Sequence, residues 1–282
     1  MTPPVDAPSG KPQSVGGVRA FVEGIGDATL TFLRYLGGLG LLTAETAKHT
    51  FVGPFRGRPV RGVAIWDQMV RVGPRSLLVV FQVNFFVGMI LALIGGKILT
   101  SIASGFTPYV GNLMSLGIVI ELGPLLTAII MTGFIGAALT AEIGTMVVTE
   151  EVTALRTSGI HPVRYLVAPR MIATITMIPC VTLIGDVVGI FGGLVVANGI
   201  LGISAHTYFE RAWDQLKPPD IWHGFEKSLV FGLIIGAIGC YQGFQVKGGA
   251  EGVGRTTTQA VVSCIMFVIA ADAVLNYFLL FR

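Results

Sequence analysis

Three carboxylates stand in or beside otherwise apolar runs: Glu121, Asp186 and Asp272. A charged side chain in hydrocarbon is expensive, so such a group usually faces a cavity, a partner or an ion path, and a chain of them can relay protons or sodium. An aspartate in that setting can equally cap a broken helix or bond a neighbouring hydroxyl, and both readings stay open for Asp186 and Asp272. Glu121 is followed by Gly123 and Pro124, a pair that could bend a helix, so a carboxylate beside a kink is expected there.

A second polar group is the stretch TEEVTALRTSGIHPVRYLVAPR, residues 149–170. Thr149 is a good N-cap, Glu150 and Glu151 suit the positive end of a helix, and Gly159 with Pro162 supplies a stop. The expected helix has about two and a half turns, too short to span a bilayer. So short a helix is marginal alone in water, so either the rest of the chain or a second protein must pack against it.

No nucleotide-binding loop of the Walker A type is visible in the sequence. A phosphate-binding Walker A loop needs Gly, four residues, then Gly-Lys and Ser or Thr, and neither Gly10-Lys11 nor Gly96-Lys97 fits. The sequence also has no nucleophile elbow and no His/Cys spacing typical of a metal site. We therefore expect no catalytic residue, no cofactor, no metal and no nucleic-acid partner for this chain. If ATP and Mg drive it, they act on another subunit.

The elements that must hold these residues are membrane helices. Of 282 residues 52% are hydrophobic and only 12% charged, with a mean hydropathy of +0.75, against about 25% charged in an ordinary soluble domain. Apolar runs cover 76–96, 122–141, 171–197, 228–246 and 256–281. A spanning helix needs about 20 such residues, so five spans are expected. An N-in, C-out arrangement places 14 of the 19 basic residues inside, leaving Lys97, Arg211, Lys217, Lys227 and Arg282 outside.

Ahead of the spans, residues 1–17 read as a flexible Pro/Gly/Ser-rich tail. From Val18, apolar residues recur at helical spacing through Leu39, with Arg19, Glu23 and Asp27 on the other face, as in a helix lying in the membrane interface. The domain reading is thus tail 1–17, interfacial helix and amphipathic lead-in 18–75 with Trp66 as an anchor, and a five-helix transmembrane domain 76–282. No signal-peptide pattern is visible, so insertion rather than secretion is expected. Residues 198–227, with Pro218, Pro219, Trp213 and Trp222, read as the largest outer segment. Cys180, Cys240 and Cys264 fall inside spans and are expected to be free. Glycines four apart, such as Gly185 and Gly189 or Gly232 and Gly236, suit close helix packing, chiefly within one subunit.

The run ELGPLLTAIIMTGFIGAALTAEIGTMVVTEEVTALRTSGIHPVRYLVAPR, 121–170, resembles the signature of the MlaE/YrbE-like permeases, membrane subunits of lipid ABC transporters that work with Mce-domain proteins. The run KGGAEGVGRTTTQAVV, 247–262, is similar to that family's inner loop and last helix. The resemblance extends from about residue 20 to the C-terminus. It implies an all-α membrane protein with an interfacial helix and five transmembrane helices, residing in the cytoplasmic (inner) membrane of a bacterium. It further implies a lipid-binding cavity enclosed by a homodimer or by a pair of related permeases, with Mce-domain subunits on the outer side.

The same resemblance implies an ABC ATPase docked on a cytoplasmic coupling helix between spans two and three, here Thr149, Glu150, Glu151, Ala154, Leu155 and Arg156. Candidate cavity residues are Ile120, Glu121, Leu125 and Phe134. Many relatives carry Arg where this chain has Ile120, and Gly-Arg-x-Gly where it has Gly133, Phe134, Ile135 and Gly136. Losing those cations implies a more apolar pocket, suited to a sterol, a fatty acid or a weakly charged lipid. The competing function is an ion-coupled secondary transporter using Glu121, Asp186 and Asp272, and a third is a scaffold anchoring an envelope assembly.

Overall fold

The computed structural model describes residues 17–52, 60–102 and 104–280, so the expected tail lies outside the described residues apart from Gly17. Among the described residues every regular element is helical. The chain divides into two units, one up to Leu41 and one from Leu42. The first is most of α1 (Gly17–Ala47), whose Ile25, Phe32 and Leu33 are exposed. An apolar face open to the surroundings fits a helix lying against lipid.

Five helical runs are long and apolar enough to cross a membrane. The first joins α2 (Gly62–Val72) to α3 (Pro74–Ile102) through Gly73 alone, so the spanning run takes in Trp66 and much of the expected lead-in. The second, Val110–Val148, is 39 residues long and consists of α4 (Val110–Leu116), α5 (Gly123–Met131) and α6 (Ala137–Val148), joined by π-helical turns at Gly117–Leu122 and Thr132–Gly136. Gly123 and Pro124 do not break it. A proline in the first turn after a π turn loses a hydrogen bond that the widened turn has already displaced.

Then come α7 (Glu151–Thr157), α8 (Ala168–Gly199), α9 (Ala205–Gln215), α10 (Pro218–Phe244) and α11 (Gly249–Leu280). The prolines Pro218 and Pro219 open α10 rather than a surface turn, since proline fits the first helical turn, where its missing N–H is not needed. Lys217 N donates to Asp220 Oδ2 at 2.9 Å and completes that start. The segment between the third and fourth spans therefore ends at about residue 217, and α9 is the short helix within it.

The third and fourth spans are the inner ones, with 56% and 61% of their apolar windows buried, against 22% and 17% for the first and fifth. Helix α8 packs along α3 and α10, and α10 along α6 and α11. Glycine lets these backbones meet. A Cβ at Gly88 would lie 2.0 Å from the Gly189 carbonyl oxygen, and one at Gly192 would lie 2.1 Å from that of Phe85. Gly185 faces Val80 and Asn84, and Gly232 faces Ile175, so these small residues serve packing within the chain. The three cysteines are free, Cys240 and Cys264 buried and Cys180 exposed.

Candidate functional site

Two of the three carboxylates meet in one cluster, around a residue that sequence reasoning placed elsewhere. Lys227 of α10 is fully buried, not part of an outer segment, and its ammonium makes two hydrogen bonds and a further ion pair. Nζ donates to Glu121 Oε2 and, at 2.6 Å, to Asn276 Oδ1, and it pairs with Asp272 Oδ1 at 3.1 Å. Asn276 closes the network, with Nδ2 donating to Glu121 Oε1 at 3.0 Å and to Asp272 Oδ2 at 3.3 Å.

Local structure explains the meeting. Asp272 and Asn276 share one face of α11 at i,i+4 spacing. Glu121 lies in the π turn of span two. Gly224, one turn before Lys227, lets α10 approach that turn so closely that a Cβ would sit 2.2 Å from the Val119 carbonyl oxygen. By helical rise, Glu121 and Lys227 both lie about 15 Å from the start of their spans, deep enough to be within a bilayer. One ammonium faces two carboxylates, so the formal charges do not cancel. The Glu121 side chain is 36% exposed, and the cluster is therefore open to a ligand on that side.

Asp186 stands apart from this cluster. It is buried on α8 against the backbone of span two, where a Cβ at Gly123 would come within 1.6 Å of its Oδ1. That oxygen accepts no hydrogen bond from any described residue. Of the other cavity candidates, Ile120 and Leu125 are half-buried on the same span and Phe134 is exposed. A separate apolar groove of about 510 Å³ lies between residues 43–51 and α8, lined by Ala47, Phe51, Ile172, Ile175 and Leu233 among others.

The polar helix α7 sits at the opposite end of the spans from α9. Thr149 does not cap it. Its backbone ends α6, with N donating to Thr145 O at 2.9 Å, and Glu150 takes the cap position with φ 60°. That left-handed conformation is the only positive φ among the described non-glycine residues. The chain must reverse sharply between α6 and α7, and an αL residue makes that turn at a cost of about 1–2 kcal/mol. Thr149 Oγ1 instead lies within hydrogen-bond distance of two acceptors, Thr145 O at 3.0 Å and Glu151 Oε1 at 3.1 Å.

Helix α7 ends at Gly159, φ 72°, with Gly159 N donating to Arg156 O and Ile160 N to Leu155 O at 3.0 and 2.9 Å. These are the paired bonds of a Schellman stop, which needs the left-handed glycine. Val152 is buried under the helix, whereas Glu150, Glu151, Ala154 and Arg156 are exposed and Leu155 is half-buried. The helix is thus anchored by one apolar residue and presents a mixed-charge face. Just within the spans, Glu142 of α6 accepts from Arg71 of α2 at 3.1 Å and from Arg170 of α8 at 3.0 Å, locking three spans together beside α7.

Sequence reasoning missed Lys227, Asn276 and the Glu142 clamp. Pro218-Pro219-Asp220 was the available signal for Lys227, because a helix starting there carries residue 227 into its third turn.

The profile of the Permease MlaE family matches residues 65–278. A probable ABC transporter permease protein of Rickettsia prowazekii is 39% identical over 210 residues, 73% of this chain and 78% of that protein. One of Synechocystis is 37% identical over 211 residues, 75% and 80% of the two chains. The intermembrane phospholipid transport system permease protein MlaE of Haemophilus influenzae is 29% identical over 260 residues, 91% and 96%. With five membrane-crossing helices and a family match that covers four of them whole and most of the first, this multi-pass membrane protein belongs to the MlaE permease family.

Proposed function

We propose that the chain is the permease subunit of an ABC-type lipid transporter in the cytoplasmic membrane of a bacterium. The observation that carries this reading is α7, a short anchored helix with Glu150, Glu151, Ala154 and Arg156 exposed, at the end of a 39-residue span that also holds Glu121. A partner ATPase, which binds ATP and Mg, docks there from the cytoplasm. The N-terminus is then inside and α9 outside, facing Mce-domain subunits. Two permease copies, identical or related, enclose the lipid cavity.

Movement of α7 reaches the cavity through span two, because α6 is clamped by Arg71 and Arg170 and the same span ends its π turn at the Lys227 cluster. In the cavity, the uncancelled carboxylate and the absence of cations at Ile120 and Phe134 disfavour a net-anionic headgroup and favour a neutral or weakly charged lipid. The names of the relatives, ABC transporter permease and phospholipid transport permease, support the transport class.

Reversing both charges with Glu150→Lys and Glu151→Lys abolishes co-purification of the ATPase while the permease stays folded; unchanged recovery removes the docking assignment. Mass spectrometry of lipid extracted from the purified complex checks the headgroup. Neutral or zwitterionic lipid is expected, and exclusive recovery of net-anionic lipid contradicts the selectivity.

A further inference from the structure

We propose that Glu45, His49 and His161 form a binding site for a divalent transition-metal ion of the zinc class, clipping residues 42–52 to the segment that joins α7 to the third span. Glu45 Oε1 lies 3.2 Å from His161 Nε2 and 4.0 Å from His49 Nε2. The two imidazole rings are 4.8 Å apart at 46°, and one ligand atom from each residue lies within 4.8 Å of the others. Around a tetrahedral ion with bonds of about 2.0–2.1 Å, ligand atoms stand roughly 3.4 Å apart. Small side-chain rotations close the remaining gap.

The donor set has the right chemistry. Two imidazoles and a carboxylate hold zinc with one coordination position left open. Glu45 and His49 are four residues apart, on one face of a helical turn, and His161 arrives from a distant part of the chain. His161 is held in place by its neighbours, since its carbonyl accepts from Tyr165 N at 3.1 Å and Pro162 stiffens the next residue. The side chains of Glu45, His49 and His161 are 41%, 26% and 48% exposed, so an ion can enter.

A pairing of His161 with Glu45 accounts for two of the three residues, whereas a shared ion also accounts for the second imidazole, 4.0 Å from the same carboxylate and 4.8 Å from the first ring. Position along the chain conceals the group, because 45 and 49 lie more than a hundred residues from 161. The inference does not depend on the proposed transport function.

The test uses the full chain in detergent, carrying an affinity tag without histidine and treated with chelator. Calorimetric titration with Zn2+ should give one saturable site per chain, and Co2+ should give the visible absorption of a tetrahedral site. His49→Ala and His161→Ala should each weaken Zn2+ binding at least tenfold, and Glu45→Gln should weaken it too. His206→Ala, which removes a histidine paired with Glu210 near the other end, should leave binding unchanged. Absence of saturable Zn2+ binding and of the Co2+ band in the unaltered chain overturns the site. So does equal binding by the His49→Ala/His161→Ala double variant.

Discussion

Among the described residues the spanning helices hold two polar clusters at different depths, and they are built in opposite senses. Around Lys227, one buried cation serves two carboxylates and an amide. Around Glu142, one carboxylate serves two arginines, Arg170 buried and Arg71 half exposed. In the first cluster every partner comes from a membrane-spanning helix and the half-open member is an acid. In the second the open member is a base, close to α7. Under the proposed transport function the difference separates two duties: the deep cluster with its spare carboxylate meets the lipid headgroup, and the shallow clamp passes the motion of α7 to span two.

The largest expected effect comes from breaking the deep cluster. Lys227→Met leaves Glu121 and Asp272 without their cation and should lower stability by about 3–5 kcal/mol, as for removal of one partner from a buried pair. Thermal unfolding in detergent, or the yield of folded protein, checks it. Adding Glu121→Gln and Asp272→Asn should restore much of the loss, and a triple variant no better than Lys227→Met alone would break the comparison.

A smaller effect is expected from Glu142→Gln. Arg170 loses its charged partner but keeps its bond to Leu166 O at 2.9 Å, and Arg71 turns to water, so a loss of about 1–3 kcal/mol follows. If lipid transfer falls further than stability explains, the clamp transmits motion; if both fall together, it is only a brace. Smallest is Arg71→Ala. Its side chain is 52% exposed, and exposed ion pairs contribute about 1 kcal/mol or less. A loss as large as that from Lys227→Met would remove the distinction between the clusters.

How much of this was legible in the sequence follows from what local patterns can carry. Apolar run length gave the five spans, because bilayer thickness sets it directly. Gly159 and the acids after Thr149 gave α7, because caps and stops are local. The fault at Thr149 was one of register: the reversal after α6 is made by Glu150 in a left-handed conformation, which composition does not disclose.

The site was half legible. Glu121 and Asp272 stood out as charges at the edge of or inside apolar runs, but Lys227 sat at the boundary of one and was assigned to water. Its burial follows from partners on two other helices, and pairing across helices leaves no periodic trace in any one of them. Asn276, uncharged, gave no signal at all. Resemblance supplied the family and the expectation that α7 docks an ATPase, neither of which residue spacing alone could reach.

Vesicles containing the purified permease together with its ATPase, loaded with labelled lipid and an acceptor protein, test the central claim most directly. Lipid transfer should require ATP and stop when Glu150 and Glu151 are both replaced by Lys. Transfer at full rate from vesicles lacking the ATPase, driven by an ion gradient alone, would contradict the account and assign Glu121 and Asp272 to ion coupling.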